Sequence, residues 1–182
     1  MSDRLDSGLN VCQTFPFKLV TDALWIKENL YVATLTRWDD VSGSRLDPPK
    51  ITHLKNGKIQ QEYETTEEVD RLVLCGRKRS IFVGITKHDL RVFDEKLTLL
   101  SSNQHGGVCS IAAWDNIGDT LLTVREKTLI LWRFRFGQYS FLFDHQIDIE
   151  SDGVIDLATN INHECVLLYD DKAAIINLDN KK

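Results

Sequence analysis

The chain has 182 residues, 42% hydrophobic and 27% charged, with 22 Lys+Arg against 27 Asp+Glu and a formal net charge of -5. That is the composition of a globular chain long enough to bury its own core, and its acidic balance argues against a surface that tracks a phosphate backbone, so no nucleic-acid partner is expected. No apolar run approaches the ~20 residues that span a bilayer, and the N-terminal MSDRLDSGLN lacks the basic-then-apolar layout of a secretory signal.

Residues 1–14 read as a tail. The first strand-rich segment follows in FPFKLVTDALWIKENLYVATLTRW, where two short apolar strands flank a polar turn; the third strand of the group is displaced to KITHLK. Between them DDVSGSRLDPPK, rich in Gly, Ser, Pro and charge, reads as an exposed loop. Arg37 and Trp38 sit just before that loop. An exposed Trp beside an Arg is the pairing most often found at interface hot spots, whereas a buried Trp would be packing between sheets, and the sequence leaves both readings open.

KIQQEYET then fits an outer strand, and ETTEEVD follows as an acidic run. Its plain reading is a polar loop between sheets; the sharper one makes Glu67 and Glu68 a docking patch for a basic partner, raising the association rate through charge complementarity.

Three segments then share one plan. VDRLVLCGRKRSIFVGITKHDLRVFD from Val69, VCSIAAWDNIGDTLLTVREKTLILWRF from Val108 and VIDLATNINHECVLLYDDKAAIINLD from Val154 each hold an apolar strand, a polar connection, a second apolar strand, a tight charged turn and a third strand. The turns coincide at Lys87-His88, Glu126-Lys127 and Asp171-Lys172. With KLTLLSSN and GQYSFLFDHQ as outer strands, the period of about 40 residues is that of a β-propeller blade. Segments with the i, i+3, i+4 apolar pattern of a helix are lacking. The fold class expected is therefore all-β, a propeller or partial propeller of about four blades of four antiparallel strands, at approximately 15–58, 59–102, 103–150 and 151–182.

Within the third repeat, LILWRFRFGQYSFLFDHQ places Trp132, Phe134 and Phe136 on one face of a strand and Arg133 and Arg135 on the other. Gly137-Gln138 is read as a two-residue type II′ connection. The aromatic face is expected to pack on the adjoining blade and the arginines to reach the surface. Trp114, Leu122, Val124, Leu129, Leu131, Phe134, Phe141, Val166 and Ile175 are the expected core.

The segments FPFKLVTDALWIKENLYVAT, VDRLVLCGRKRSIFVGITKHDLRVFD, LLTVREKTLILWRFRFGQYSFLFDHQI and DGVIDLATNINHECVLLYDDKAAIINL resemble the citron-homology propeller at the N-terminus of Vam6-type subunits of the HOPS and CORVET vesicle-tethering complexes. The resemblance implies a non-catalytic protein–protein interaction module in endosomal or vacuolar traffic, bound to other protein subunits and to a Rab-class small GTPase or its exchange factor, cytoplasmic, and peripheral on endosome or vacuole membranes through its partners. A WD-repeat-like scaffold of another cytosolic or nuclear complex is the alternative, although the third strands end in Phe93-Asp94, Trp132-Arg133 and Asn177-Leu178 rather than in Trp-Asp, and no Gly-His precedes them. The citron-homology propeller has about seven blades and this chain close to four, so the sequence reads as part of a longer propeller or as a chain whose terminal blades self-associate through Ile175, Ile176 or Leu178.

Chemistry is sparse. The histidines at 53, 88, 105, 145 and 163 show no metal-ligand spacing, no phosphate-binding loop occurs, and the cysteines at 12, 75, 109 and 165 form no C-x-x-C pair, which fits small apolar residues in a reducing compartment. No cofactor, metal or catalytic role is expected; an enzyme working in a propeller channel is the third reading. The one basic cluster, Arg77, Lys78 and Arg79 in GRKRS, reads as a solvated loop or as a contact for an acidic partner or lipid headgroup.

Overall fold

The computed structural model describes residues 17, 19–76, 81–105, 111–150 and 153–179. The tail 1–14 and the cluster Arg77, Lys78 and Arg79 lie outside them. The chain is all-β, a partial propeller. Its first sheet is an antiparallel meander of β1 (Val20–Ile26), β2 (Asn29–Thr34), β5 (Lys50–Lys55) and β6 (Lys58–Glu64), interrupted by the small hairpin of β3 (Arg37–Trp38) and β4 (Arg45–Asp47). The second holds β7 (Val69–Cys75), β8 (Ile81–Thr86), β9 (Asp89–Asp94) and β10 (Leu99–Gln104). The third holds β11 (Ile111–Asp115), β12 (Thr120–Arg125), β13 (Thr128–Arg135) and β14 (Ser140–Asp148), and the fourth β15 (Val154–Thr159), β16 (Glu164–Tyr169) and β17 (Ala173–Asn177).

The displaced third strand KITHLK is β5, paired with β2 across the hairpin excursion. The first sheet runs on through Glu64 rather than ending at 58, because Asn56 and Gly57, both at positive φ (50° and 74°), form the two-residue turn that returns the chain along β5 as β6. The turn at the tip of β13 and β14 also differs from expectation. It spans four residues, Phe136 to Tyr139, since Arg135 pairs with Ser140. Its carbonyl–amide bond runs from Arg135 to Gln138 (3.1 Å), and the residue at positive φ is Tyr139 (50°), not Gly137.

The sheets stack face to face, and each junction has its own core. Tyr31, Ala33 and Ile51 of the first sheet meet Val69, Leu72, Phe82 and Phe93 of the second. Val83, Ile85, Leu90 and Val92 meet Trp114, Leu121, Phe134 and Phe141 of the third. Leu122, Val124, Leu129 and Leu131 meet Leu157, Cys165, Leu167 and Tyr169 of the fourth. Because successive side chains of a strand point to opposite faces, a central strand such as β8 sends Phe82 one way and Val83 and Ile85 the other, which is why these strands read as unbroken apolar runs.

Of the expected core, Trp114, Leu122, Val124, Leu129, Leu131, Phe134 and Phe141 are buried. Val166 is half-buried and Ile175 is 70% exposed. Both point away from the third sheet, and among the described residues no sheet stands on their other side. The aromatic face of the β13–β14 hairpin is likewise buried only in part: Phe134 and Phe141 are buried, whereas Phe136, Tyr139 and Phe143 are exposed, as are Arg133 and Arg135.

Candidate interaction surface

The first strands of the sheets lie side by side along the inner rim, where polar side chains tie them together. The Thr21 hydroxyl donates to the Val69 carbonyl (2.6 Å), the Leu72 amide to the Asp22 carboxylate (2.8 Å), and the Thr159 hydroxyl to the Trp114 carbonyl (2.8 Å). Arg71 of the second sheet pairs with Asp156 of the fourth at 3.7 Å, which shows how tightly the stack curves. A further tie joins the outer turns of the third and fourth sheets: Asp115, fully buried, accepts the amides of Ile117 (3.2 Å) and Gly118 (2.7 Å) and lies 2.6 Å from His163 Nδ1. Sequence reading missed this pair. Its one local signal is an aspartate followed three residues later by glycine, which says nothing about a histidine 48 positions on.

Arg37 and Trp38 stand on β3, whose pairing with β4 is separate from the main sheets, so the open question about Trp38 is answered by its 58% exposure. Val41 at the tip and Leu46 on β4 are exposed beside it. The hairpin is shaped by Asp39: hydrogen bonds from the Ser42 hydroxyl (2.6 Å) and the Val41 amide (3.1 Å) hold this carboxyl below the usual range. Arg37 pairs with Asp47 at 3.5 Å. At the foot of the hairpin is an open groove of about 390 Å³ with an apolar lining from Phe17, Leu19, Leu35, Pro48, Leu54 and Ile59 and charged walls from Arg37, Asp47, Lys50 and Glu62. An apolar floor with a few fixed charges is what a protein-docking groove requires.

Glu67 and Glu68 are placed differently. Glu67 accepts from the Thr86 hydroxyl (2.9 Å) and lies 2.6 Å from His88 Nδ1; partial burial pushes its carboxyl up, but the His88 and Thr86 hydrogen bonds outweigh this and hold it below the ordinary range. Glu68 accepts the Thr36 amide at 3.3 Å. Each therefore braces the chain between sheets. Beside them Asp70 has its carboxyl raised by burial and then by Glu68 and Glu67. Arg37 and Trp38 thus come together with a groove, while Glu67 has both oxygens engaged by Thr86 and His88 and Glu68, exposed, accepts one bond from Thr36.

The histidines are spread over separate local contacts. His53 Nε2 lies 2.9 Å from Asn29 and stacks on Tyr31; His105 Nε2 lies 3.0 Å from the Thr86 carbonyl; His145 Nδ1 is 2.9 Å from Asp144. Among the described residues no group of three His, Cys, Asp or Glu side chains is arranged to hold a metal.

The fourth sheet has Ile155, Leu168 and Ile175 exposed and, among the described residues, three strands where the other blades have four.

No family model matches the chain, and no curated protein matches it. Solved structures do. The WD40 β-propeller domain of Doa1 superimposes with a TM-score of 0.61 at 12% identity, over 86% of this chain and 50% of that one. The structure of U3-55K gives 0.61 at 12% identity over 90% and 50%, and the hydrazine synthase of Kuenenia stuttgartiensis 0.61 at 11% over 84% and 43%. At these identities the likeness is one of fold, and the chain spans about half the length of the propellers it matches.

Proposed function

We propose that the chain is a non-catalytic protein–protein interaction module, a propeller segment that holds other protein subunits in a cytoplasmic assembly. The observation that carries this reading is the hairpin Arg37–Asp47: a tryptophan and two aliphatic side chains in solvent above an apolar groove, on a rigid sheet that does not need them for its own core. The assembly we infer is a vesicle-tethering complex on endosome or vacuole membranes, with a Rab-class small GTPase or its exchange factor among its members. That narrower assignment is supported by the citron-homology resemblance. The second reading, a WD-repeat-like scaffold of another cytosolic or nuclear complex, is favoured by the fold match to WD40 domains.

Proximity labelling in cells with the wild-type chain and with Trp38→Ala separates these readings. The tether reading expects tethering subunits and a Rab-class GTPase around the wild type and several-fold less around Trp38→Ala. A label profile unchanged by the substitution would remove the hairpin from the interface, and a profile free of membrane-traffic proteins would favour the scaffold.

A further inference from the structure

The outer edge of the third sheet differs from those of the first and second. Each of these three sheets has its four strands, so a neighbouring blade stacks on their faces and adds nothing to their outer edges. The outermost strand of the first, β6, carries Lys58, Glu62 and Glu64, and that of the second, β10, is six residues long and polar over residues 101–104. Charge and shortness are ordinary ways of keeping an edge from pairing with another chain. β14 has neither in its opening half: it is nine residues long, has no lysine, arginine or proline, and begins Ser140-Phe141-Leu142-Phe143.

The main-chain groups of this edge already draw partners from outside the sheet. The Phe141 amide donates to the Asn103 side chain of β10 at 3.2 Å, and the Tyr139 carbonyl accepts from the Ser101 hydroxyl. Main-chain groups alternate between the two edges of a strand, so Phe143, two residues on from Phe141, also turns its amide and carbonyl outward. Phe143 shares the face of Phe134 and Phe141 that packs on the second blade, yet its side chain is 57% exposed although that blade has all its strands. Its ring meets Trp132, its cross-strand partner, edge-on (6.1 Å, 81°), and the Trp132 indole N–H donates to Thr123 at 2.9 Å. The result is a fixed apolar shelf beside an open edge. The register shift beyond Phe143 bends β14 there, so the shelf is centred on that residue. On the opposite face of the same two strands Arg133 and Arg135 are exposed; Arg133 shares Asp144 at 3.0 Å, and Arg135 has no ion pair among the described residues.

We propose that the edge of β14 docks an extended segment of a partner protein, which adds a strand to the third blade. Main-chain hydrogen bonds to β14 supply the affinity, and alternate side chains supply the choice of partner. Successive side chains of the added strand point to opposite faces. Those on the Phe143 face are apolar and cover its ring; those on the other face are acidic and meet Arg133 and Arg135, the charge complement of two exposed arginines in a chain of net charge -5. The partner segment therefore alternates apolar and acidic residues. The inference rests on the reading of the chain as a protein-interaction module, but on a surface apart from the Arg37–Asp47 hairpin, so its failure leaves the test on Trp38 untouched.

Fluorescence anisotropy with the chain and a labelled peptide of about seven residues alternating valine and glutamate tests it. Saturable binding is expected, weakened about tenfold by Phe143→Ser. Arg135→Ser should weaken it less and flatten its dependence on salt. Both side chains already stand in solvent, so each variant should keep its circular dichroism and melt within a few degrees of the wild type. N-methylation separates strand addition from side-chain contact, because the valine amides lie on one edge of the peptide and the glutamate amides on the other. One of the two methylated peptides should lose binding and the other keep it. Absence of saturable binding, equal behaviour of the two methylated peptides, or binding that Phe143→Ser leaves unchanged would overturn the proposal. A peptide without affinity, beside a chain that dimerises in sedimentation equilibrium and that Phe143→Ser returns to the monomer, would overturn it in favour of a second copy at this edge.

Discussion

Removing the ring of Phe134 tests whether the aromatic hairpin belongs to the core. Phe134 is 5% exposed and packs edge-on to Trp114 (centroids 5.8 Å, 80°) and Phe136 (4.8 Å, 85°), with Phe141 tilted at 4.9 Å. Its amide donates to the Asp119 carbonyl at 2.9 Å, a bond that Phe134→Ala leaves in place, so the substitution isolates the side chain. Large-to-small truncation at such a site costs about 3–5 kcal/mol, transfer and cavity together. At ~2–4 °C per kcal/mol for a chain of this size, the melting temperature should fall by about 6–20 °C. Arg133→Ser with Arg135→Ser removes one ion pair, Arg133 to Asp144 at 3.0 Å, with the arginine side chain 55% exposed. An exposed pair contributes about 0–1 kcal/mol, so this variant should melt within a few degrees of the wild type. Thermal melts by far-ultraviolet circular dichroism, run beside filter binding with a labelled single-stranded oligonucleotide, check both. A Phe134→Ala protein as stable as the arginine variant, or a wild type that binds the oligonucleotide and loses it with the ring, would refute the core reading.

Other expectations follow from the same contacts. Asp115→Ala should cost about 1–3 kcal/mol, since it leaves the Ile117 and Gly118 amides without their acceptor and removes the carboxylate beside His163; a urea melt checks the loss, and adding His163→Gln should recover little of it. Burial pushes His105 below its ordinary pKa of 6.5, and the same cause lowers His53. Stability is therefore full above pH 6.5 and falls as the pH drops below that value, because the unfolded chain takes up protons that the folded one resists; His105→Gln should flatten that slope in melts between pH 7 and 5. Both described cysteines are buried, the Cys165 thiol pushed up to about 12 and Cys75 higher still. Neither should react with a thiol reagent until the protein is unfolded, and a stoichiometric reaction in the native state would contradict the packing of the second and fourth sheets.

The repeat was legible because it is written in the central strands. Segments such as IFVGIT and LLTVR are predominantly apolar since both faces are covered, and the period and the displaced strand KITHLK could be read; four strands per blade holds for the first three sheets, while the fourth shows three among the described residues and the small β3–β4 hairpin was not expected. What the sequence did not show depends on neighbours rather than on local pattern. Val166 and Ile175 are as apolar as Val83 and Val92, so their exposure is readable only from where the stack of sheets stops. The four-residue turn at Phe136–Tyr139 uses a left-handed tyrosine, a residue type that signals no such conformation, while the adjacent glycine drew the wrong assignment. Glu67 and Glu68 look like a free acidic run in one dimension and become hydrogen-bond acceptors once His88, Thr86 and Thr36 are brought beside them. The exposure of Trp38, which the sequence leaves open, is set by a hairpin that leaves the first sheet altogether.

The central claim is that this chain is an arc of stacked antiparallel blades with an exposed hairpin set apart from them, and hydrogen–deuterium exchange addresses it most directly. Amides in the middle of β8, β9, β12 and β13 should be the slowest, while β17 and the hairpin of β3 and β4 exchange fast, because among the described residues β17 pairs on one edge only and that hairpin stands apart from the sheets. Fast exchange throughout β8, β9, β12 and β13, or a β3–β4 hairpin protected as strongly as those strands, would contradict the account.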